Sequence, residues 1–174
     1  MTKTRYTTSP LAVLGYHEAK IHAAYSFKAE QVEIGDTLFS LLPNMLRPED
    51  YRTAFDTINL AQDKNNVLVT HGLATQIKDK RLATVAEHEL DSTILADTFD
   101  YIALGHYHNQ SQITRNAWYS GSSEFLTYGE IRDTKGGLVV DPGRHEVRHL
   151  DLPKTPMTSL TSMSLPGLPS GSIR

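Results

Sequence analysis

Residues 102–108 read Ile-Ala-Leu-Gly-His-Tyr-His, and residues 67–72 read Val-Leu-Val-Thr-His-Gly. Each stretch begins with a short apolar run of the kind that forms a buried strand, and each run is followed by histidine. Imidazoles carried by the ends of neighbouring strands can converge on one point. Because neutral imidazole is a common ligand for transition metals, the pattern predicts a metal site.

The second stretch carries a histidine spacing that chance seldom produces. With 8 His in 174 residues, a shuffled chain contains His-x-His about 0.4 times but Gly-His-x-His only about 0.02 times. Side chains two residues apart on an extended segment point the same way, and Gly105 gives the backbone freedom to turn both rings toward one cavity. We therefore predict His71, His106 and His108 as metal ligands. For His71 alone, the alternative is a strand-ending histidine that hydrogen-bonds a carbonyl group.

The composition narrows the class of protein. The chain has 17 Lys and Arg against 20 Asp and Glu, a net charge of −3, so bulk positive charge does not indicate nucleic-acid binding. A phosphate-bearing ligand would need a local anchor, which a divalent ion provides. The absence of cysteine excludes disulfides and thiolate metal sites. Since no apolar run approaches the ~20 residues of a membrane span, we expect one soluble, cytoplasmic globular unit without a membrane partner.

The pattern upstream of the first histidine predicts a hairpin and a helix. Residues 31–43 read as two strands around the dipeptide Gly35-Asp36, a turn that is favoured because glycine tolerates positive φ. This turn also explains Asp36 without a metal-binding role. Pro48 at a first helical position, followed by acidic residues and by apolar residues at helical spacing, predicts an amphipathic helix that ends near Gln62.

In the rest of the chain, predicted helices and strands alternate as far as residue 104, and predicted strands predominate after it. Residues 17–28 are compatible with a helix, 78–81 read as a surface loop, a further helix is predicted over 84–97, and 101–104 form a second buried strand. This alternation indicates a layered α/β core. Beyond it, strand-like runs separated by turn signals predict antiparallel strands at 111–114, 117–120, 137–141 and 146–152.

Other residues give weaker signals. The segment 120–123 reads either as an anion-binding loop that lacks the lysine of a P-loop or as a tight turn. Aromatic residues near it are interpreted as core residues that flank strands, with base stacking as the alternative: Trp118, Tyr119, Phe125 and Tyr128. The remaining histidines are expected at the surface: His17, His22, His88, His145 and His149.

Several segments together resemble the second half of a calcineurin-like metallophosphoesterase, and specifically the SbcD-type DNA repair exonucleases. They are VLVTHG, DYIALGHYHNQ, WYSGSSEFLTYGE, KGGLVVD and EVRHLDLP, and the similarity extends from about Leu38 to the end of the chain. The resemblance implies that His71 and His106 bind one metal and that His108 binds the other. It also implies a turn beside the active site, in which Ser120 stands where the family usually has proline.

The resemblance carries expectations for fold, activity and partners. It implies an α/β fold, the C-terminal portion of a layered metallophosphoesterase-type sandwich with antiparallel strands toward the C-terminus. Residues 1–152 would belong to that domain, with 1–30 weakly defined, and 153–174 would be a linker or the start of a capping domain. The implied activity is two-metal phosphodiester hydrolysis with manganese, or with iron or zinc. The implied partners are DNA and an SbcC-like ATPase subunit.

The first three motifs of that family do not occur in this sequence: D-x-H, G-D-x-x-D and G-N-H-[DE]. In the family they supply the bridging aspartate, the other metal ligands and an acid histidine. We therefore expect a portion of a longer nuclease that is inactive alone and whose exposed strand edges favour self-association, a homodimer included. Two alternatives stay open: a metallophosphoesterase that acts on a nucleotide or another phosphoester, and a non-catalytic remnant that serves as an interaction module.

Overall fold

The structure is a computed structural model that describes residues 18–24, 27–45, 47–77, 89–90, 94–95 and 97–155. Strands dominate it, and one α-helix and a short 3₁₀ helix, Tyr128–Glu130, accompany them in the described part. The strands and the helix are β1 (Glu30–Ile34), β2 (Thr37–Leu42), α1 (Pro48–Phe55), β3 (Asn65–His71), β4 (Leu73–Ala74), β5 (Glu89–Leu90), β6 (Tyr101–Gly105), β7 (Ser111–Gln112), β8 (Ala117–Tyr119), β9 (Gly137–Asp141) and β10 (Glu146–Leu150).

A six-stranded mixed sheet with the strand order β1-β2-β3-β6-β8-β7 organises the protein. Its four inner strands, β2, β3, β6 and β8, run parallel, and the outer strands β1 and β7 pair antiparallel with their neighbours. The predicted α/β class is confirmed at this level. Because parallel strands end at the same edge of a sheet, the carboxyl ends of four strands lie side by side, where open α/β sheets usually bind ligands.

The hairpin that precedes the first parallel strand forms as predicted. Strands β1 and β2 pair antiparallel, with Ile34 opposite Thr37, so that Gly35 and Asp36 make a two-residue turn. Gly35 has φ +60, a conformation that glycine adopts without steric penalty. The carbonyl oxygen of Asp36 accepts a hydrogen bond from the amide of Asn65 at 2.9 Å, which ties the turn to the start of β3.

The helix α1 begins at Pro48 as predicted but ends at Phe55, not near Gln62. The chain leaves the helix because Thr57 turns back on it: both its amide and its hydroxyl donate to the carbonyl oxygen of Ala54, at 3.2 Å and 2.7 Å. The backbone of Asn59 is then held by a glutamine side chain of β1. Side-chain bonds such as that of Thr57 compete with helix continuation.

The helix predicted over 84–97 is wrong wherever the structure describes it. Glu89–Leu90 form β5, which pairs in parallel with β4, and residues 94–95 and 97–98 lie in turns. The apolar residues of this region are nevertheless buried: Leu90, Ile94, Leu95 and Phe99. They pack into the core from a short strand, turns and a bend, not from a helix. Residues 84–88, 91–93 and 96, like the loop predicted at 78–81, lie outside the described residues. Within 17–28, the described residues are not helical.

The strands predicted after residue 110 are confirmed, with one unexpected pairing. Strands β7 and β8 pair antiparallel, as do β9 and β10, which form a separate two-stranded sheet. Strand β8 also pairs in parallel with β6, which extends the parallel core beyond the prediction. Residues 153–155 have no regular structure, and 156–174 lie outside the described part of the chain.

One face of the sheet carries the described hydrophobic core. Leu68, Ile102 and Leu104 point to this face and pack with Tyr51 and other buried residues. The opposite face is less covered: Val69, which alternates with Leu68 along β3, is 36% exposed. The prediction that residues 67–70 are buried throughout is therefore wrong at Val69. None of the helices in the described ranges has the length and apolar character that a membrane span requires.

Candidate metal centre

The carboxyl-terminal edge of the parallel strands carries polar side chains. Asn44 follows β2, His71 ends β3, His106 follows β6 and Ser120 follows β8. A cavity of about 580 Å³ opens at this edge, and its lining includes Asn44, His71, Gly105 and Ser120. The sheet therefore gathers the ends of four strands around one cavity.

His71 and His106 lie against each other at this edge. Nε2 of His71 is 3.3 Å from Nδ1 of His106, and the two rings are nearly perpendicular, with centroids 5.2 Å apart. The register explains their proximity, because His71 pairs with Gly105, the residue before His106. Gly105 also provides the space: a Cβ atom there would lie 2.8 Å from Nδ1 of His71.

The backbone turn that presents His106 is made by His106 itself. We predicted that Gly105 supplies an unusual conformation, but the positive φ belongs to His106, at 109°. A non-glycine residue in such a sparsely populated region carries about 1–3 kcal/mol of strain, and strain of this kind clusters at functional sites. Gly105 contributes room for the neighbouring ring, and His106 bears the strain.

The His71–His106 geometry suits two ligands of one ion. Two nitrogens each ~2.1 Å from a metal with roughly tetrahedral angles are about 3.4 Å apart, close to the 3.3 Å found here. A hydrogen bond between the rings, with one nitrogen protonated, would have the same separation. Within the described residues, no group of three or more His, Asp or Glu side chains is arranged to hold a metal. A metal site at this pair would therefore need further ligands.

His108 occupies a different environment. Its Nδ1 atom lies 3.1 Å from Oε1 of Glu130, and its side chain is 46% exposed. The prediction assumed an extended segment from His106 to His108, with both rings on the same side. That assumption is wrong, because the positive φ of His106 bends the chain between them.

Glu130, the partner of His108, is a buried carboxylate that the sequence did not reveal. Burial raises the pKa of Glu130, but hydrogen bonds from Lys135, His108 and the amide of Leu126 outweigh this effect and lower the pKa to about 2. Glu130 is thus ionised at neutral pH. No local signal marks it, because the acidic and basic residues between 128 and 135 have the composition of a solvated loop.

Lys135 is buried together with Glu130. Its ammonium group lies 2.7 Å from Oε2 of Glu130, 2.8 Å from the hydroxyl of Ser122 and 3.0 Å from the carbonyl oxygen of His108. The three hydrogens of the ammonium group therefore have three acceptors. Ser122 also donates its amide to the carbonyl oxygen of His108, at 3.1 Å. Gly121 has φ +78, but residues 120–122 do not form a turn, so the structure confirms neither of the two interpretations of this segment.

Two buried tyrosines fix the segment that carries His71. The hydroxyl of Tyr51 lies 2.7 Å from the carbonyl oxygen of His71. The hydroxyl of Tyr119 donates to the carbonyl oxygen of Gly72 at 2.6 Å and accepts from the amide of Ala74 at 2.8 Å. Apolar spacing predicted that Tyr51 is buried, but it gave no indication that the two hydroxyls anchor the strand end.

Replacing Tyr119 with phenylalanine should lower the free energy of unfolding by about 1–3 kcal/mol, because two buried backbone groups of the 72–74 segment lose their partner. Urea unfolding would measure the change. Tyr128→Phe is the matched control, since the Tyr128 side chain is 75% exposed and surface changes usually stay within about 0.5 kcal/mol. Equal stability of the Tyr119→Phe variant and the wild type would contradict the anchoring role.

The weaker candidates also have clear positions. The surface prediction is confirmed for the described histidines, His22, His145 and His149, whereas His17 and His88 lie outside the described residues. Of the aromatic residues considered for base stacking, Tyr119 is buried, Trp118 and Phe125 are partly buried, and Tyr128 is exposed.

Comparisons of the chain with protein-family models and with curated proteins found no match. The candidate centre is therefore defined by its geometry.

Proposed function

We propose that this chain is part of a metal-dependent phosphodiesterase, a DNA repair exonuclease of the calcineurin-like metallophosphoesterase type, of which it forms the C-terminal portion of the layered sandwich. One observation carries the proposal: the imidazole nitrogens of His71 and His106 lie 3.3 Å apart where two neighbouring parallel strands end. In this proposal His71 and His106 hold one divalent ion, and His108 holds a second.

The donor set indicates which ions fit. Imidazole nitrogen combined with carboxylate oxygen suits manganese, with iron or zinc as alternatives. Bound divalent ions would polarise the scissile phosphate, lower the pKa of a bound water and stabilise the leaving oxygen. The residues of this chain hold the rings in place: Gly105 leaves space for His71, and Tyr51 and Tyr119 fix the end of β3.

The remaining ligands are proposed to come from a segment with the motifs D-x-H, G-D-x-x-D and G-N-H-[DE]. Catalytic metal sites usually have three or more protein ligands per ion, and His71 with His106 supplies two. Because neutral imidazoles carry no charge, histidines alone would leave the positive charge of two ions uncompensated. Carboxylate ligands would neutralise part of that charge. We therefore expect the chain to be inactive in phosphodiester hydrolysis when no such segment is present.

DNA is the proposed substrate, and an SbcC-like ATPase subunit the proposed partner. In the segment just before Glu130, two large apolar side chains face solvent: Leu126 is 61% and Tyr128 is 75% exposed. An exposed aromatic ring next to a phosphate-binding site can stack on a nucleobase, an interaction that tolerates any sequence. Since the net charge is −3, the ions and such local contacts would supply the binding that bulk electrostatics does not.

Manganese binding tests the proposal directly. We expect the chain to bind Mn²⁺ weakly in isothermal titration calorimetry, because His71 and His106 supply only part of the ligand set, and we expect His71→Ala or His106→Ala to weaken this binding by at least a further tenfold or so, about 1.4 kcal/mol. His145→Asn is the control: His145 contacts the carbonyl of Asp100 at the opposite end of the parallel strands, and asparagine tolerates its φ of 53. No binding, or binding that the two alanine variants leave unchanged, would contradict the site and favour the non-catalytic interaction module.

A further inference from the structure

The contact between His108 and Glu130 specifies which nitrogen of the ring carries the proton. Nδ1 of His108 is 3.1 Å from Oε1 of Glu130, and Oε2 of the same carboxylate lies 2.7 Å from the ammonium group of Lys135. A carboxylate in an ion pair with an ammonium group is an acceptor only, so Nδ1 of His108 must be the donor. In a neutral ring, Nε2 then bears the lone pair. The half-exposed His108 side chain can present that lone pair to a ligand.

The carboxylate of Glu130 is fully occupied by donors from this chain. Oε1 lies near Nδ1 of His108 and the hydroxyl of Thr127, at 3.1 Å and 3.2 Å. Oε2 lies near the ammonium group of Lys135 and the amide of Leu126, at 2.7 Å and 3.1 Å. A carboxylate has about four acceptor sites, and four donors use them. Glu130 is therefore suited to orient His108 and not to bind an ion itself.

Lys135 donates hydrogen bonds to both residues of the His108–Glu130 contact. Its ammonium group bonds the Glu130 carboxylate and also the main-chain carbonyl oxygen of His108, so one buried cation fixes the backbone of one residue against the side chain of the other. The side chain of Lys135 is 0% exposed and that of Glu130 is 7% exposed. The carboxylate that accepts from the His108 ring is therefore held in a fixed, buried position.

We propose that Glu130 is a positioning residue for His108: it accepts the Nδ1 hydrogen, fixes this tautomer and leaves Nε2 as the atom that binds metal. Carboxylate groups that hydrogen-bond the second nitrogen of a metal-binding histidine are general in metal sites, where they set the tautomer and the ring orientation. The inference rests on the proposed function only for the metal at Nε2. The tautomer itself follows from the contacts within the chain.

The tautomer can be measured without any metal. In ¹⁵N-labelled, chelator-treated chain at mildly alkaline pH, long-range ¹H–¹⁵N correlation spectra distinguish protonated from unprotonated ring nitrogens. We expect His108 with hydrogen on Nδ1. Thr127→Val, which removes a different donor to the same carboxylate, should leave this tautomer unchanged. Hydrogen on Nε2 of His108 in the wild type would overturn the inference, and this outcome requires no variant to fold.

Glu130→Ala should remove the preference for Nδ1–H, and Glu130→Gln should weaken Mn²⁺ binding by about 10- to 100-fold. Glu124→Gln is the matched control, because the Glu124 carboxylate accepts from the amide of Thr155 and is not a partner of His108. If the wild type binds Mn²⁺ and Glu130→Gln binds it equally well, the inference fails while the proposed function stands. If no variant and no wild type binds Mn²⁺, the proposed function fails, and the Nδ1–H tautomer still decides whether Glu130 positions the ring.

Discussion

Replacing Lys135 with methionine is expected to lower the free energy of unfolding by about 3–5 kcal/mol, because removing one partner of a buried ion pair leaves the other charge uncompensated. The Lys135 side chain is 0% exposed, and two carboxylates surround it, Glu130 at 2.7 Å and Asp133 at 3.8 Å. Methionine fills a similar volume, so the loss reports the charge and the hydrogen bonds. Urea unfolding of the two proteins would measure it.

A second lysine provides the control. Lys154 forms an ion pair with Asp151 at 2.9 Å, but the two side chains are 34% and 78% exposed. Exposed pairs contribute about 0–1 kcal/mol, so Lys154→Met should change stability little. Pairing Lys135→Met with Glu130→Gln removes the uncompensated charge and should recover part of the loss. Equal effects of Lys135→Met and Lys154→Met on the free energy of unfolding would show that the buried ion pair contributes no more stability than the exposed one.

The stability lost in the Lys135→Met variant should depend on pH, because the ion pair shifts the pKa of Glu130. The pKa of Glu130 is lowered from 4.5 to about 2 in the folded protein, so its contribution to stability is complete above about pH 4.5 and disappears as the pH falls through about 2. Without Lys135 the carboxyl group loses the hydrogen bond that lowers its pKa most. The difference between the wild type and Lys135→Met should therefore be largest at neutral pH and narrow in acid.

In a phosphodiesterase assembled from this chain and a segment with the missing motifs, His106→Ala should reduce hydrolysis by about 100- to 1,000-fold or more, as removal of one group that stabilises transition-state charge does. The physical reason is the loss of one of two nitrogens that converge at 3.3 Å. Hydrolysis of DNA and of a small phosphodiester with Mn²⁺ would measure the change. Circular dichroism should show an unchanged fold, because His106 lies beyond the end of β6.

His149→Ala is the control for the assembled enzyme. Nδ1 of His149 contacts the side chain of Gln110, and the residue is exposed on β10, which belongs to the separate two-stranded sheet. Its loss should leave hydrolysis near the wild-type rate. Unchanged hydrolysis in His106→Ala would remove that residue from the proposed site. Hydrolysis by the present chain alone would contradict the need for the additional motifs.

The parts of the fold that follow from local chemistry were predictable. Strands β3 and β6 are continuous apolar runs, and the β1–β2 turn has glycine where a positive φ is required. The meeting of His71 and His106 follows from parallel pairing in register. The end of α1 was missed because it depends on how Thr57 and Asn59 bond outside the helical pattern.

The parts that depend on distant contacts were not predictable. Glu130 and Lys135 are buried because they meet His108, which lies 22 and 27 positions away along the chain. Neither residue stands in a periodic apolar pattern, and a charged stretch is usually solvated. The parallel pairing of β8 with β6 was missed for a similar reason, since the turn signals around β8 indicate only that strands are present.

Position 106 combines two requirements that no single amino acid meets. The main chain there, at φ 109, is best served by glycine, whereas the contact with His71 needs an imidazole. Glycine at position 106 would relieve the backbone strain but would lack the imidazole ring. The backbone strain at His106 lowers the stability of the native state. Binding of an ion between the His71 and His106 rings would offset part of this strain energy.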